Sequence, residues 1–308
     1  MRQIKKFILG GNLLVATCLL FPSHSFAQFT NIFRKDSIET DFYVLNDTLI
    51  NTRFYVSQKL TSPTIFGKDQ GKKVKYSPNG NTNLGVGATY GWLTLNIGIN
   101  FGFINNDDEE KGETRFLDLQ TQVIGRSSCI NMYGQFYKGS YLKPNDGSIP
   151  DDGKYVQRPD IYTQQIGASA YFFPNWRRYS HAAAVNQRDW QQKSAGSVLV
   201  GGEILTGKIK GDSSMIPSYQ LADFAQGKVD RVTFIELGIG AGYAHTFVIK
   251  KHFFISASAT ISLSGGIQNQ FTEEEKTNTG YLRPNYFIQP SVGYNSRKFN
   301  GSVMLFAS

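Results

Sequence analysis

A two-residue alternation of apolar and polar side chains, repeated along most of this chain, restricts its fold more than any other feature. In residues 92–103, Leu93, Leu95, Ile97, Ile99, Phe101 and Phe103 alternate with Thr94, Asn96, Gly98, Asn100 and Gly102. Successive strand side chains point to opposite faces, so this period predicts a strand with one greasy face and one polar or empty face. Residues 253–264 repeat it, with Phe253, Ile255, Ala257, Ala259, Ile261 and Leu263 opposed to Ser256, Ser258, Thr260, Ser262 and Ser264. Leu237, Ile239, Ala241 and Tyr243 alternate with Gly238, Gly240 and Gly242, and weaker versions run through residues 84–90, 117–123, 166–172 and 292–294. Few windows keep a 3.6-residue apolar stripe, so helix is a minor component.

The second face decides which all-β class is expected. A solvated face is usually charged, whereas this one is Gly, Ser, Thr, Asn and Gln, which suits the lumen of a membrane barrel rather than the outside of a soluble sandwich. Aromatic residues sit near the predicted strand ends, at Tyr90 and Trp92, Tyr171 to Phe173 with Trp176, Phe253 and Phe254, and Tyr286 and Phe287, as interfacial girdles require. The expected fold is therefore an antiparallel up-and-down transmembrane β-barrel of about 12–14 strands, apolar side outward to lipid.

The N-terminus predicts the compartment. Arg2, Lys5 and Lys6 precede an apolar stretch over residues 7–21, and Ser25, Phe26 and Ala27 offer small residues at the cleavage-determining positions. This reads as a Sec signal peptide over residues 1–27, followed by a periplasmic lead-in at 28–48 and the barrel at 49–308. The apolar stretch is shorter than the ~20 residues that span a bilayer and ends at Pro22. Thr17 before Cys18 argues against lipidation. Loss of the leader lowers the net charge from +8 to about +5, too modest and scattered for nucleic-acid binding. Cys129 is then the only cysteine, so neither an intrachain disulfide nor a thiolate metal site is possible, and His181, His245 and His252 lack ligand spacing.

Short links at Gly91, Ser127-Ser128, Asn175-Trp176, Lys250-Lys251 and Arg297-Lys298 alternate with long polar ones at 105–112, 143–159, 210–230 and 269–280. The alternation slips by one strand between the two halves. Folding residues 194–210 into two short strands at Gly201-Gly202, a favourable hairpin dipeptide, repairs it. That gives about thirteen strands, with an alternating segment (Val303, Leu305, Ala307) at the end. Because bacterial barrels have even counts, a closing strand beyond Ser308 is expected.

Several stretches also carry a family resemblance: NGNTNLGVGATYGW at 79–92, TRFLDLQ at 114–120, QFYKGSYL at 135–142, RPDI at 158–161 and QQKSAGSVLVGG at 191–202. The chain resembles, from about Asp47 to Ser308, an uncharacterised domain-of-unknown-function family of outer-membrane-like β-barrels common in Bacteroidota. The YKGxYL and QxKSAGS stretches are its more specific marks. The resemblance implies the fold and an outer-membrane location, with a final strand after one more loop, and supplies no functional residues.

The search for chemistry returns little. Ser180-His181 with Asn186 is the one set to weigh against outer-membrane lipases, but adjacent strand residues point to opposite faces and cannot share a reaction centre. The acidic runs at 107–110 and 273–275 lack calcium-loop spacing and read as solvated loops. No enzyme activity and no cofactor or metal is expected. If Leu117, Leu119 and Val123 face lipid, then Asp118, Gln120 and Gln122 face inward, and so by the same logic do Asn96, Asn100 and Glu236. Inward charges either tune a pore or form buried pairs, here with Arg53, Arg115 or Arg126. A small-solute channel is the first functional expectation, a structural or surface-binding barrel the second, an envelope enzyme the third. The expected partners are outer-membrane lipid and the barrel-assembly machinery.

Overall fold

In a computed structural model, the structure describes residues 7–10, 41–45, 50–58, 62–66, 72–79, 82–99, 108–144, 153–224, 227–296 and 300–305. The chain is all-β. Its strands are β1 (Phe7–Gly10), β2 (Tyr43–Val44), β3 (Ile50–Gln58), β4 (Ser62–Phe66), β5 (Lys73–Ser77), β6 (Thr82–Tyr90), β7 (Leu93–Ile99), β8 (Arg115–Ile124), β9 (Ser128–Lys143), β10 (Gln157–Phe172), β11 (Trp190–Gln191), β12 (Ala195–Lys210), β13 (Arg231–Ile249), β14 (Phe253–Phe271), β15 (Lys276–Asn295) and β16 (Asn300–Met304). Two short helices, α1 (Asp108–Lys111) and α2 (His181–Val185), and a 3-10 turn at Ser218–Asp223 complete the described elements. Within the expected leader only β1 is described, paired with β4; residues 1–6 and 11–27 lie outside the described residues.

One antiparallel up-and-down sheet runs in the order β16-β15-β14-β13-β12-β10-β9-β8-β7-β6-β3, while the β4–β5 hairpin joins it through β5 and β9. Among the described residues its two ends, β3 and β16, are not paired with each other. The described path has eleven strands, fewer than the thirteen read from the sequence. Two corrections account for the phase slip. Residues 195–210 form one strand, not a hairpin at Gly201-Gly202, and residues 173–194 form an infolded segment where a strand was expected. Gly201 serves close approach rather than a turn, because a Cβ there would collide with the Ala170 carbonyl of β10. The chain therefore enters and leaves the infolded segment at the same end of the sheet as the reversals after β6, β8 and β13, whereas most of the long link expected at 269–280 is strand and only a turn at 272–275 joins β14 to β15.

The two faces separate as the period dictates. On β14, Phe253, Ile255, Ile261 and Leu263 are at least half exposed, whereas Ser256, Ser258, Thr260, Ser262 and Ser264 are buried. Ile235, Leu237, Ile239 and Tyr243 of β13, and Leu282, Tyr286, Ile288 and Val292 of β15, continue the exposed apolar face. The expected girdle aromatics divide between the two faces. Tyr90, Trp92, Phe172, Phe253 and Tyr286 point out, whereas Tyr171, Phe173 and Phe254 are buried, since neighbours along a strand alternate.

The polar face is concave. In a flat sheet the seven strand steps from β15 to β7 would separate them by roughly 34 Å. Yet α2 and its cap bridge them: Asn186 Nδ2 donates to Thr94 Oγ1 of β7 (3.2 Å), and Ser291 Oγ of β15 donates to the Ala184 carbonyl (3.3 Å). Three residues of helix rise only about 5 Å, so the sheet must curl around this segment.

Candidate functional site

The concave face holds three zones: an infolded segment at the short-link end, a polar middle, and an apolar cluster at the long-link end.

At the short-link end, residues 173–194 turn inward instead of reversing directly. Ser180 caps α2, its Oγ accepting from the Ala183 amide (3.1 Å) and donating to Asp189 Oδ2 (2.6 Å). Asp189 Oδ1 pairs with Arg188 Nε at 3.0 Å, both side chains being under 5% exposed. The Arg188 Nη1 donates to the carbonyls of Gly91 (3.0 Å), in the β6–β7 turn, and Ile124 (2.8 Å), at the end of β8 where the β8–β9 turn begins. Asn295 Nδ2 donates to the Asp189 carbonyl and Trp190 Nε1 to that of Lys251, so the β15–β16 and β13–β14 links are held as well. A guanidinium presents five donors in a rigid fork, which is why one residue can tie two turns and a carboxylate. From the lead-in, β2 pairs with β11, and Tyr43 OH donates to the Trp176 carbonyl. Around this network pack Ile124, Cys129, Phe173, Tyr179, Ala182, Leu199 and Ala244.

The Ser180, His181 and Asn186 set falls here, and the strand assumed for it is absent: Ser180 is the helix cap and His181 the first helical residue. Ser180 engages Asp189, while His181 Nδ1 meets Tyr179 OH at 3.1 Å and its ring lies tilted against Phe173, 4.7 Å between centroids. Burial pulls the His181 pKa down to about 4, so the ring is neutral. Serine, histidine and asparagine thus have separate structural partners. A cavity of about 10 Å³ beside Tyr179, His181, Ser256 and Gln289 has room for roughly one water.

In the polar middle, two buried carboxylates lean over glycines of the next strand. Glu203 sits opposite Gly238, where a Cβ would lie 2.8 Å from its Cγ; Glu236 sits opposite Gly266 in the same relation. The glycines therefore make room for neighbouring side chains. Gly240 and Gly242 likewise yield to Ser262 and Thr260 of the neighbouring strand. Glu203 Oε1 accepts from Ser262 Oγ (2.7 Å), Ser264 Oγ (2.8 Å) and Asn285 Nδ2 (3.1 Å). Glu236 accepts from Tyr281 OH at 2.6 Å and Arg283 Nη2 at 2.9 Å.

Of the sequence-predicted inward residues, Asp118 and Glu236 are buried, and Asn96, Gln120 and Gln122 are half-buried on the same concave side. Asn100 lies outside the described residues. Tyr137 OH donates to Asp118, and Gln122 Nε2 donates to Asn131, which donates on to Ser169. The expected arginine partners differ from those found. Arg283 pairs with Glu236; Arg115 pairs with exposed Glu113; the Arg53 side chain lies outside the described residues. Glu203, Tyr281, Arg283 and Asn285 were missed, although Arg283 and Asn285 share the two-residue alternation with Leu282, Pro284 and Tyr286. Glu203 Oε2, Tyr133 OH and both amide atoms of Gln165 make no hydrogen bond within the protein. Buried polar atoms need partners, which gives this zone a capacity for water or a small polar solute.

At the long-link end, Ile65, Val74 and Tyr76 of the β4–β5 hairpin meet Tyr133, Ile161, Leu205, Ile209 and Phe234 of the wall and Met215, Ile216 and Phe224 of the 211–230 link. Tyr76 OH donates to the Met215 carbonyl at 2.9 Å. Of the acidic runs, 108–110 lies in α1 with Asp108 accepting from Asn79, and Glu273 to Glu275 form an exposed turn around Thr272. Among the described residues no three His, Cys, Asp or Glu side chains come together as a metal site.

No curated protein and no solved structure matches the chain. A family model described as a domain of unknown function, DUF4421, matches residues 34–306, nearly the whole chain after the expected leader. With that extent of match, the chain belongs to the DUF4421 family.

Proposed function

We propose that this chain is an exported outer-membrane β-barrel whose interior is occupied by its own segments, so that it serves as a structural or surface-binding barrel rather than an open channel. The observation that carries the barrel reading is the inversion of polarity: the large aliphatic and aromatic side chains of β13–β15 face out, and serines, threonines and carboxylates face in. An apolar band of this extent is stable against hydrocarbon and not against water. The curl around α2 and the N-terminal leader support the same reading. In a bilayer the seam between β3 and β16 would need closing, because each unpaired backbone group there costs several kcal/mol.

Packing at both ends of the polar middle favours the second functional expectation over the first. The infolded 173–194 segment lies at one end and the Met215–Ile216 cluster at the other. The polar middle is the observation favouring a conduit. Conductance of the full-length protein in planar bilayers separates the two. Absence of discrete steps, together with a heat-modifiable band in the outer-membrane fraction, is the expected result. Reproducible unitary steps in the wild type would restore the channel reading, and recovery in a soluble fraction would defeat both. An envelope enzyme requires lipid hydrolysis abolished by His181→Ala; none is expected.

A further inference from the structure

We infer that a row of cations at the long-link rim of β12–β15 is a binding site for the phosphate groups of an outer-leaflet lipid. The site rests on the barrel reading above and adds a ligand to its outer face. Lys210 is directly opposite Arg231, Arg231 opposite Phe271, and Phe271 opposite Lys276, so one register line crosses four neighbouring strands. At about 4.8 Å per strand the row is roughly 14 Å long. Its members alternate in phase with the exposed apolar face: only Thr233 separates Arg231 from Ile235, and only Asn269 separates Phe271 from Ile267, on that side of their strands. Lys208 occupies the outward position below Lys210, opposite Thr233.

Two features distinguish this row from scattered surface lysines. The cations converge on one aromatic ring, with Arg231 Cζ 4.1 Å and Lys276 Nζ 5.6 Å from the Phe271 centroid. Cation–π contact holds both heads beside the ring rather than extended into solvent. Moreover, Lys210 and Arg231 are like charges facing each other across a ladder, an arrangement that destabilises a sheet, and the Arg231 Nε is buried without a hydrogen bond in the protein. The nearby carboxylates of Asp230 and Glu273 to Glu275 lie in the links beyond the strand ends, whereas the row stands where the apolar face gives way to polar positions. In the proposed orientation, chemistry approaching from the side at that height is a lipid headgroup. A phosphate monoester supplies the two charges and three acceptor oxygens that such a row can share.

The test uses the full-length protein extracted from membranes, reconstituted in phosphatidylethanolamine vesicles and transferred to detergent for native mass spectrometry. The probes are diphosphoryl lipid A, its dephosphorylated form and inorganic phosphate. The wild type is expected to retain diphosphoryl lipid A at least tenfold better than the dephosphorylated form. The combined Lys210→Gln, Arg231→Gln and Lys276→Gln substitutions are expected to reduce that retention about tenfold to a hundredfold. Should the triple variant lose its heat-modifiable band, the exposed single change Lys276→Gln gives the same comparison, with a smaller expected loss. Equal retention of both lipids by a protein that inserts into the vesicles overturns the site and leaves the barrel reading standing. Displacement of the lipid by millimolar inorganic phosphate overturns the lipid assignment. A wild type that fails to insert contradicts the barrel reading itself, and the site falls with it.

Discussion

The two ends of the interior are filled by opposite chemistry. At the short-link end the infolded segment is tied by an ion pair, a helix cap and a series of donors aimed at turn carbonyls, with Arg188 and Asp189 nearly inaccessible. At the long-link end the hairpin and the 211–230 link are packed mainly by Ile65, Val74, Ile209, Met215 and Ile216. Apolar packing is roughly indifferent to direction and charge. A buried ionic network instead fixes one geometry and fails sharply when one member is removed. The short-link end is therefore the specified end and the long-link end the adaptable one.

The comparison can be broken most forcefully at Asp189. Replacement by Ala strips Arg188 and Ser180 of their carboxylate and leaves a guanidinium buried; a loss of about 3–5 kcal/mol is expected in chemical unfolding followed by the heat-modifiable band. A change below about 1 kcal/mol would mean that the network is solvated and specifies nothing.

Acidification should act on the same end. Because burial depresses the His181 pKa from 6.5 to about 4, the unfolded chain binds more protons than the folded one between those values. Stability from this group is full above pH 6.5 and falls as the pH drops toward 4, by up to roughly 3 kcal/mol. His181→Phe should flatten that dependence in unfolding curves taken across the window; an unchanged slope would place the titrating group elsewhere.

Ile216→Ala sharpens the contrast from the other side. The expected loss is about 2–3 kcal/mol for the buried methylenes, with the pH profile below 6.5 left as in the wild type. A shifted profile would show that the two ends are coupled through the polar middle.

The smallest effect concerns the turn beneath Trp190. Lys250 and Lys251 both adopt positive φ, 50° and 65°, in a tight reversal closed by the His252 amide donating to the Ile249 carbonyl. A side chain in this region costs on the order of 1 kcal/mol, so Lys251→Gly should raise the unfolding midpoint slightly. The Trp190 bond goes to a backbone carbonyl and survives the change. A lowered midpoint would indicate that the lysine side chain itself is required.

Much of the wall was legible because a strand's two-residue period is written directly in its residues. The alternation at 253–264 predicts which side of β14 is exposed, down to single serines, and the same logic puts Asp118 and Glu236 on the buried side. What periodicity cannot report is a segment whose contacts lie far away in sequence. Residues 173–194 have the polar composition of a link, and nothing local says that Arg188 reaches carbonyls 64 and 97 positions earlier. Reading that stretch as strand requires the Gly201-Gly202 hairpin, although Gly201 serves close approach to β10 and Gly202 close approach to β13. Glu203 was lost in the same step, since the assumed turn removed it from the alternation. The expected arginine partners, Arg53, Arg115 and Arg126, lie far from Glu236 in the chain, whereas the register across β14 and β15 supplies Arg283.

The central claim is that the apolar side of these strands meets hydrocarbon and the serine side does not. Single nitroxide labels at Ile261→Cys, Ser262→Cys, Leu263→Cys and Ser264→Cys, in a Cys129→Ser background reconstituted into bilayers, test it most directly by their accessibility to oxygen and to a water-soluble relaxant. The account predicts high oxygen accessibility at 261 and 263 and low accessibility at 262 and 264, alternating residue by residue. Labels at 261 and 263 that are shielded from oxygen while those at 262 and 264 contact bulk water would contradict it.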